Sequence, residues 1–359
     1  MLQIRTKLRP EPKIERPAMN FVFDDKQRRH DPKSFFTGGV KKPNPEQPAR
    51  IDALLSGALA AGLKRVKPVD QGLAPVAAVH TPEYLTFLRN IHARWMHIEG
   101  GSDEVIPNIH PAERSQVSYP KSAVGQAGYH MADTACPIST DTWDSAYFSA
   151  QSAATATDLA LRGDKSAYAL CRPPGHHAFV DMAGGFCFLN NSAIAAQRAR
   201  DAGRRVAIID VDLHHGNGTQ GIFYGRADVL TISIHADPVR YYPFFWGHTQ
   251  ERGVGAGLGA NLNLPLPRGS GDAAFLDALG VAVARVGDFG TDFLVIALGL
   301  DAFERDPFGG LAVTTPGFSR IGQALGKVAL PSVIVQEGGY LCPELGDNLT
   351  SFLTGFQTA

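Results

Sequence analysis

The sequence has few cysteines, no excess of basic charge and no long apolar run. Its 359 residues include four cysteines and no CxxC pair, which excludes a disulfide framework and a cysteine-rich zinc site. Lysine and arginine number 34 against 35 aspartates and glutamates, so the net charge of -1 would attract neither nucleic acid nor an anionic membrane. The longest apolar stretch, at 293–300, is far shorter than the roughly 20 residues of a membrane span, and the first residues carry no apolar signal core. We therefore expect a cytoplasmic protein.

The composition is that of a globular protein with many loops. Hydrophobic residues make up 44% of the chain and charged residues 19%, with 38 glycines and 24 prolines spread along it. The length allows one large domain or two ordinary ones, and we favour one. Seven prolines among many charges in residues 1–48 predict an N-terminal surface arm without regular elements, followed by one domain over 49–359.

Beyond the arm, helical patterns alternate with short apolar runs. Apolar residues at helical spacing predict helices at 51–61, 82–95, 146–161, 191–202, 273–286 and 318–329. Uninterrupted apolar runs predict strands at 167–171, 205–211, 229–234, 293–298 and 332–336. The alternation is typical of the α/β class, so we predict a central, mostly parallel β-sheet flanked by helices. The irregular stretch at 91–118 is too long for an ordinary connection and is predicted to be a rim or partner-binding insertion.

Polar segments directly follow four of the predicted strands. They are RPPGHH (172–177), DVDLHHGNG (210–218), GLD (299–301) and EGGY (337–340). In α/β sheets, ligands bind beyond the carboxyl ends of the strands. The four segments are therefore expected to converge on one site.

Three of these polar residues suit a catalytic metal. Asp212, His214 and Asp301 offer two carboxylates and one imidazole, a set that leaves positions open for water and substrate on zinc, with Fe(II) as the alternative ion. Each of them taken singly is as readily a capping or salt-bridged structural residue. Their joint occurrence at two strand ends favours the metal site.

Other residues of these segments suit proton transfer and charge stabilisation. His176 and His177 have side chains that titrate near neutrality. Asp210 can polarise one histidine, and Asn217 can orient the other without adding charge. Tyr340 can donate its hydroxyl to a developing oxyanion. A single tyrosine after glycines is more often a packing residue, but its place at a fourth strand end favours the catalytic role.

The motifs together resemble the zinc deacetylases of the arginase/deacetylase fold. The segments that carry this resemblance are RPPGHH (172–177), GGFCFLNN (184–191), DVDLHHGNGTQ (210–220) and EGGY (337–340). Three further segments look more like acetylpolyamine amidohydrolases than histone deacetylases: FVFDDKQRR (21–29), GLDAFERDPFGGL (299–311) and the 91–118 insertion.

The resemblance implies a role for each polar residue of the expected site. It implies zinc bound by Asp212, His214 and Asp301. It also implies that His177 is the general base and acid, and that His176 is an electrostatic partner of Asp210. Asn217 stands where many histone deacetylases have a carboxylate, which would leave His177 less cationic and better able to begin as a base.

Two structural potassium ions are implied by the same resemblance. The first would lie near Asp210 and use the Ser233 hydroxyl and the main-chain oxygens of Asp212, His214 and Ile234. The second would use the main-chain oxygens of Phe223, Arg226 and Val229.

The family pattern also implies a substrate tunnel. Its lining would include Gly185, Phe186 and Tyr242, although such aromatic residues are as readily part of a core. A cationic amine needs a carboxylate near the entrance, and Asp133 is our choice. Asp103 and Glu104 in the insertion are the other candidates, or else solvated loop charges.

We predict a zinc-dependent amidohydrolase that removes acetyl or short acyl groups from N-acetylpolyamines or related small amines. Other small acyl amides, or acetyl-lysine in proteins, are the alternative substrates, because only the rim would discriminate. An arginase-like site with two manganese ions would need further carboxylates at the positions of Gly216 and Phe303. A non-catalytic acyl-lysine binding module would lack Tyr340 or a proton-handling histidine.

The insertion further predicts a homodimer or a dimer of dimers. Its apolar residues would otherwise form a wet patch: Trp95, Met96, Ile98, Val105, Ile106 and Ile109. We expect the insertion of one subunit to pack against the mouth of the other. A self-packed surface loop is the alternative.

Overall fold

The computed structural model of the protein describes residues 19–359, which form a parallel β-sheet covered by helices on both faces. The strands of these residues are β1 (Asn20–Val22), β2 (Ser34–Thr37), β3 (Val40–Pro43), β4 (Lys64–Val66), β5 (Ser166–Ala169), β6 (Val206–Asp210), β7 (Val229–Ala236), β8 (Asn261–Leu266), β9 (Phe293–Leu298) and β10 (Ser332–Gln336). Eight of them make one sheet in the order β4-β1-β5-β10-β9-β6-β7-β8, and each neighbouring pair is parallel. β2 and β3 form a separate antiparallel hairpin. The predicted single α/β domain is confirmed.

Helices pack on both faces of this sheet. They are α1 (Arg50–Ala60), α2 (Ala74–Ala77), α3 (Pro82–Trp95), α4 (Ala123–His130), α5 (Thr142–Leu159), α6 (Asn191–Asp201), α7 (Asn217–Phe223), α8 (Asp272–Phe289), α9 (Thr315–Gly326) and α10 (Leu345–Gln357). Apolar residues of α1, α8, α9 and α10 join one core cluster, and alanines of α5 and α6 join a second. Between residues 19 and 359, none of the helices combines the length and the apolar character that crossing a bilayer requires.

The apolar runs of the central strands serve both clusters. In β6, Ala207 and Ile209 belong to the first cluster, whereas Val206 and Ile208 belong to the second. Successive side chains of a strand point to opposite faces, so a strand covered on both sides must be apolar at every position. This explains why the central strands appear in the sequence as uninterrupted runs.

The prediction that residues 1–48 form no regular elements is wrong for the part that the structure describes. β1 lies inside the sheet between β4 and β5, and Phe21, Val22 and Phe23 are fully buried. Three apolar residues between charged, proline-rich segments are too few to show a period, so this strand is stabilised by its two parallel neighbours rather than by a local pattern. Residues 1–18 of the predicted arm lie outside the described residues, and the domain boundary after residue 48 stays a prediction.

Other elements were also absent from the sequence prediction. β8 is an edge strand, NLNLPL, in which polar residues alternate with leucines and Pro265 interrupts the run. An edge strand tolerates proline because its missing N–H faces away from the sheet. α7 begins at Asn217, inside the segment that was expected to be a polar loop.

The predicted insertion at 91–118 is partly helical and partly packed in the core. α3 continues to Trp95, and both Trp95 and Val105 are buried in the chain's own apolar core. Val105 also forms a β-bridge to the segment that precedes α5. The expected wet apolar patch is therefore smaller than predicted, with Met96 and Ile109 as its residues that stay exposed, at 51% and 62%.

Candidate active site

The four predicted polar segments lie side by side at one edge of the sheet. Their strands, β5, β10, β9 and β6, are consecutive in the sheet and run in the same direction. Their carboxyl ends therefore share one edge, and the residues that follow each strand come together there.

Asp212, His214 and Asp301 form a buried group that can hold a metal ion. Their ligand atoms all lie within 4.8 Å of one another. The Nδ1 atom of His214 is 3.3 Å from Oδ1 of Asp212 and 3.1 Å from Oδ2 of Asp301. Burial and the neighbouring Asp212 raise the pKa of Asp301 to about 6, since two carboxylates in a dry site repel each other. A divalent cation between them would remove this repulsion, so the donor set fits a metal.

Main-chain groups orient both carboxylates. The N–H of Leu213 donates to Oδ1 of Asp301 at 3.0 Å, and the N–H of Gly338 donates to Oδ2 of Asp212 at 2.7 Å. A side chain at Gly338 would place its Cβ within 2.6 Å of Oδ2 of Asp212, so only glycine fits there. The EGGY segment thus packs directly against the candidate metal ligands.

The two histidines of RPPGHH lie beside the metal-ligand group and have different partners. Nδ1 of His176 is 2.9 Å from Oδ2 of Asp210, whereas Nδ1 of His177 is 2.7 Å from Oδ1 of Asn217. Their ring centroids are 4.0 Å apart, and both side chains are buried. One histidine therefore has an anionic partner and the other a neutral one.

The different partners of His176 and His177 shift the pKa values of the two imidazoles in opposite directions. Burial, together with His176 and His214, holds the pKa of His177 well below its usual value. Burial also disfavours a charged His176, but Asp212 and Asp210 outweigh it and raise the pKa of His176 to about 10. The lowered pKa leaves His177 uncharged near neutral pH, whereas the raised pKa keeps His176 protonated.

Tyr340 is buried in this site and is held by its backbone and by edge-to-face contacts with two aromatic rings. Its N–H donates to Oδ2 of Asp306 at 2.9 Å, and its ring lies 4.5 Å from that of Phe308 and 6.0 Å from that of Phe186. Asp306 also accepts the N–H of Phe308 at 2.9 Å. One carboxylate therefore fixes both Tyr340 and the aromatic ring that packs against it.

The predicted tunnel residues pack beside Tyr340 and His177. Phe186 packs with Phe35 and Tyr340 in an apolar cluster. The Tyr242 ring stands perpendicular to that of His177, 4.9 Å away. Gly185 has a φ of 49°, and a Cβ there would overlap the His177 ring. The predicted tunnel residues therefore lie close to the His177 imidazole and to Tyr340.

Asp133 is half-buried beside Tyr242 and Gly185 and is held by three donors. Its Oδ2 accepts the Tyr242 hydroxyl at 2.7 Å and the N–H of Gly185 at 3.1 Å. Its Oδ1 accepts the N–H of Ala135 at 2.8 Å. The carboxylate therefore orders two predicted tunnel residues in addition to bringing a negative charge to the rim.

The other candidate carboxylates lie in the insertion. Glu104 accepts hydrogen bonds from the Lys33 N–H at 2.5 Å and from the Ser34 hydroxyl at 3.4 Å. Its side chain thus ties the insertion to β2. Asp103 is exposed, and its main-chain oxygen contacts His92 at 3.0 Å.

The residues predicted to hold potassium fall into two groups. Asp210 and Ser233 are direct register partners on β6 and β7, and Asp212, His214 and Ile234 follow on the same two chain segments. The Ser233 hydroxyl lies 2.8 Å from Nδ1 of His235. In the second group, the main-chain oxygen of Phe223 accepts the N–H of Arg226 at 2.9 Å, and Val229 begins β7.

Glu337 is a buried residue of the site to which sequence reasoning gave no role. Its Oε2 accepts the N–H groups of Gly175 and His176 at 2.6 and 3.1 Å, and its Oε1 accepts the Ser192 hydroxyl at 2.7 Å. Burial raises the pKa of Glu337 to about 7, although the cationic His176 opposes this shift. The signal was present, because an acidic residue directly after a buried strand is unusual.

The fold and this site define a class of protein: a metal-dependent hydrolase built on a parallel α/β sheet. The histone deacetylase domain matches residues 44–356, and the chain belongs to this family.

Within the family, the chain is similar to acetylpolyamine amidohydrolases. The one from Burkholderia pseudomallei is 47% identical over 335 residues, which are 93% of this chain and 97% of that protein. Acetylpolyamine amidohydrolase 1 of Pseudomonas aeruginosa is 43% identical over 342 residues, 94% of this chain and 99% of that one. A crystal structure of acetylpolyamine aminohydrolase from Burkholderia pseudomallei superposes with a TM-score of 0.92 at 46% identity and covers 94% of this chain and 98% of that one. The predicted resemblance and hydrolase class are confirmed, whereas the roles of single residues stay predictions.

Proposed function

We propose that this protein hydrolyses the amide bond of short N-acetylated polyamines and releases acetate and the free amine. The observation that carries this proposal is the placement of Asp212, His214 and Asp301 beside a neutral His177 and Tyr340 at one strand edge. The relatives described above align with 93% to 94% of this chain and are named for this reaction. Other small acyl amides and acetyl-lysine in proteins are hydrolysed by the same chemistry. Only residues at the rim of the site would discriminate among these substrates.

The metal that we propose for this site is zinc, with Fe(II) as the alternative for the same ligands. Two carboxylates and one imidazole are the donors of an open catalytic site rather than of a closed structural one. When bound, zinc supplies Lewis acidity toward the amide carbonyl and lowers the pKa of the attacking water.

His177 is proposed to carry the proton between the two halves of the reaction. With Nδ1 against Asn217, its Nε2 is the atom left to accept a proton from the attacking water. The C–N bond then breaks, and the same proton passes to the amine nitrogen that leaves. The cationic His176, paired with Asp210, offsets the negative charge that develops on the substrate. Tyr340 donates its hydroxyl to the carbonyl oxygen as that oxygen becomes anionic.

Asp133 is proposed to select the cationic amine. We expect Asp133→Asn to raise KM for acetylputrescine, because the ammonium group loses its partner, while a neutral acetanilide is almost unaffected. The measurement is steady-state kinetics on both substrates, with Asp288→Asn, at an exposed position of α8, as the control.

The contacts of Asp133 make this a demanding test. An asparagine amide cannot accept from all three donors that Asp133 satisfies, so a purely positioning role would disturb Tyr242 and Gly185 for every substrate. Equal losses on the cationic and the neutral substrate would therefore refute selection by charge.

A small substrate panel tests the proposed function itself. We expect the zinc-loaded wild-type enzyme to have a higher kcat/KM for acetylputrescine, acetylcadaverine or acetylspermidine than for an acetyl-lysine peptide. A preference for the peptide, or for the neutral acetanilide, would move the assignment to one of the alternative amide substrates.

We also propose a structural potassium ion beside Asp210. Asp210 and Ser233 are register partners on β6 and β7 and both line a cavity of about 10 Å³, whereas the other predicted ligands, Asp212, His214 and Ile234, are not among its lining residues. We compare the Tm of thermal unfolding in potassium buffer with that in lithium buffer. The proposed ion predicts a higher Tm in potassium. An identical Tm in both would argue against the ion.

The oligomer that we propose is a homodimer or a dimer of dimers. Met96 and Ile109 of the insertion stay exposed and give a partner subunit an apolar surface, although Trp95 and Val105 are already buried. Light scattering at micromolar concentration measures this directly, and a monomer would rule it out.

A further inference from the structure

A buried ion cluster lies behind the active site, formed by Glu46, Arg50 and Arg172. All three side chains are fully buried. Oε1 of Glu46 accepts from Nη1 of Arg50 at 2.6 Å and from Nε of Arg172 at 2.8 Å. One carboxylate oxygen therefore joins two guanidinium groups.

Arg50 connects this cluster to the turn that presents Tyr340. Its Nε donates to the main-chain oxygen of Gly339 at 2.6 Å, and its Nη2 donates to that of Glu337 at 2.8 Å. The guanidinium carbon also lies 5.0 Å from the centre of the Tyr340 ring. The position of the Tyr340 turn thus depends on how Arg50 is held.

Arg172 connects the cluster to the histidine loop. It is the first residue of the RPPGHH segment that carries His176 and His177. Its own N–H donates to Oε1 of Gln27 at 2.6 Å, and its Nη2 donates to the main-chain oxygen of His30 at 2.6 Å. The start of the loop is therefore fixed through the Arg172 side chain as well as its backbone.

The charges of the cluster make Glu46 indispensable to this arrangement. Two buried guanidinium groups repel each other, and burial together with Arg50 lowers the pKa of Arg172. Within the described chain, Oε2 of Glu46 has no hydrogen-bond partner, and Nε2 of His30 lies 3.8 Å from it. A buried ion cluster with an unsatisfied oxygen is a poor device for stability alone, because desolvation and the missing bond both cost free energy. The cluster therefore serves to fix the positions of the segments that it joins.

We propose that Glu46 is a positioning residue, which holds the Tyr340 turn and the histidine loop in register with each other so that both reach one substrate. This inference rests on the proposed function, since it assigns Tyr340 and His177 to the same reaction. In the described chain, Glu46 bonds or pairs with Asn44, Arg50, Arg172 and His30, and none of these is a candidate metal ligand.

The test is a double-mutant cycle between Glu46→Gln and Tyr340→Phe. Glutamine keeps the shape but loses the charge that holds two arginines, so we expect kcat to fall by about 10- to 100-fold with KM changed little, as for a misplaced catalytic group. Tyr340→Phe alone should lower kcat by about 100-fold with full metal content. In the Tyr340→Phe background, Glu46→Gln should lower kcat by a clearly smaller factor than in the wild type. The part of its effect that acts through the Tyr340 hydroxyl is already lost there.

Matched variants separate positioning from folding. Asp158→Asn removes a carboxylate that pairs with Arg198 on the far side of the sheet, and it should lower Tm without changing kcat. If Glu46→Gln does not fold, Arg50→Lys replaces it, because lysine keeps the charge but cannot bind both main-chain oxygens of the Tyr340 turn. A folded Glu46→Gln or Arg50→Lys enzyme with wild-type kcat would overturn the inference, as would equal losses in both backgrounds.

Failure of the inference about Glu46 can be distinguished from failure of the proposed function. If the wild-type enzyme does not hydrolyse acetylputrescine, the substrate assignment fails, and the cycle is measured on the acetyl-lysine peptide instead. Crystal structures of the wild type and Glu46→Gln give a readout that needs no substrate. The inference predicts a displaced Gly339–Tyr340 turn, and an unchanged turn and histidine loop would contradict it.

Discussion

Replacing Asp301 with alanine is expected to abolish both metal binding and activity. The substitution removes one of two carboxylates from a three-residue set and leaves Leu213 without its acceptor. Removing a partner that only orients a metal ligand costs about 10- to 100-fold in affinity, so removing a ligand should cost more than that. Metal analysis of the purified protein and turnover of acetylputrescine are the two measurements.

The control for this variant is Asp288→Ala, an exposed aspartate on α8. It should keep the metal content and activity of the wild type. Chelation of the wild type should remove activity that added zinc restores, whereas Asp301→Ala should not respond to zinc. Stoichiometric metal in purified Asp301→Ala would show that the ligand assignment is wrong.

Loss of His177 is expected to have the second-largest effect. Its imidazole is held neutral by burial and by the cationic His176, so alanine removes the group proposed to move the proton. General acid–base catalysis contributes about 10²- to 10⁴-fold, and we expect kcat of His177→Ala to fall within that range while metal content stays full.

The adjacent histidine supplies the decisive comparison. His176→Ala should reduce kcat less than His177→Ala does, because its proposed role is electrostatic. His97→Ala, at an exposed position of the insertion, should be neutral. If His176→Ala alone eliminates turnover and His177→Ala does not, the two roles are reversed.

The metal-ligand group was accessible from the sequence because its members directly follow apolar strands. Asp212 comes two residues after β6 and Asp301 three residues after β9. In a parallel sheet the carboxyl ends share an edge whatever the order of the strands, so convergence could be predicted without knowing that β6 and β9 are neighbours. Apolar strands followed by acidic residues and a histidine were therefore sufficient to predict the candidate metal site.

The supporting residues could not be found in the same way. Glu46 lies in a proline-rich segment, and its partner Arg172 is 126 positions away. Asp306 accepts the N–H of Tyr340, 34 positions further on. The sequence did not predict β1 for the same reason. Its three residues form a strand only between two neighbouring strands that come later in the chain. Long-range pairing of this kind leaves no period in the sequence.

The sheet order also determines when the site can assemble. β10, which is formed near the end of the chain, lies between β5 and β9. Until it inserts, the sheet consists of two separate halves: β4-β1-β5 carries the histidine loop, and β9-β6-β7-β8 carries the candidate metal ligands. A nascent chain that stops before residue 332 therefore lacks the strand that both halves share, and only side-chain and loop contacts, such as those of His176 with Asp210 and of His177 with Asn217, can join them. The same stretch of chain also brings Glu337 and Tyr340, which follow β10, so the sheet and the site are completed together, and the pairing of β10 with β5 is among the most non-local in the fold.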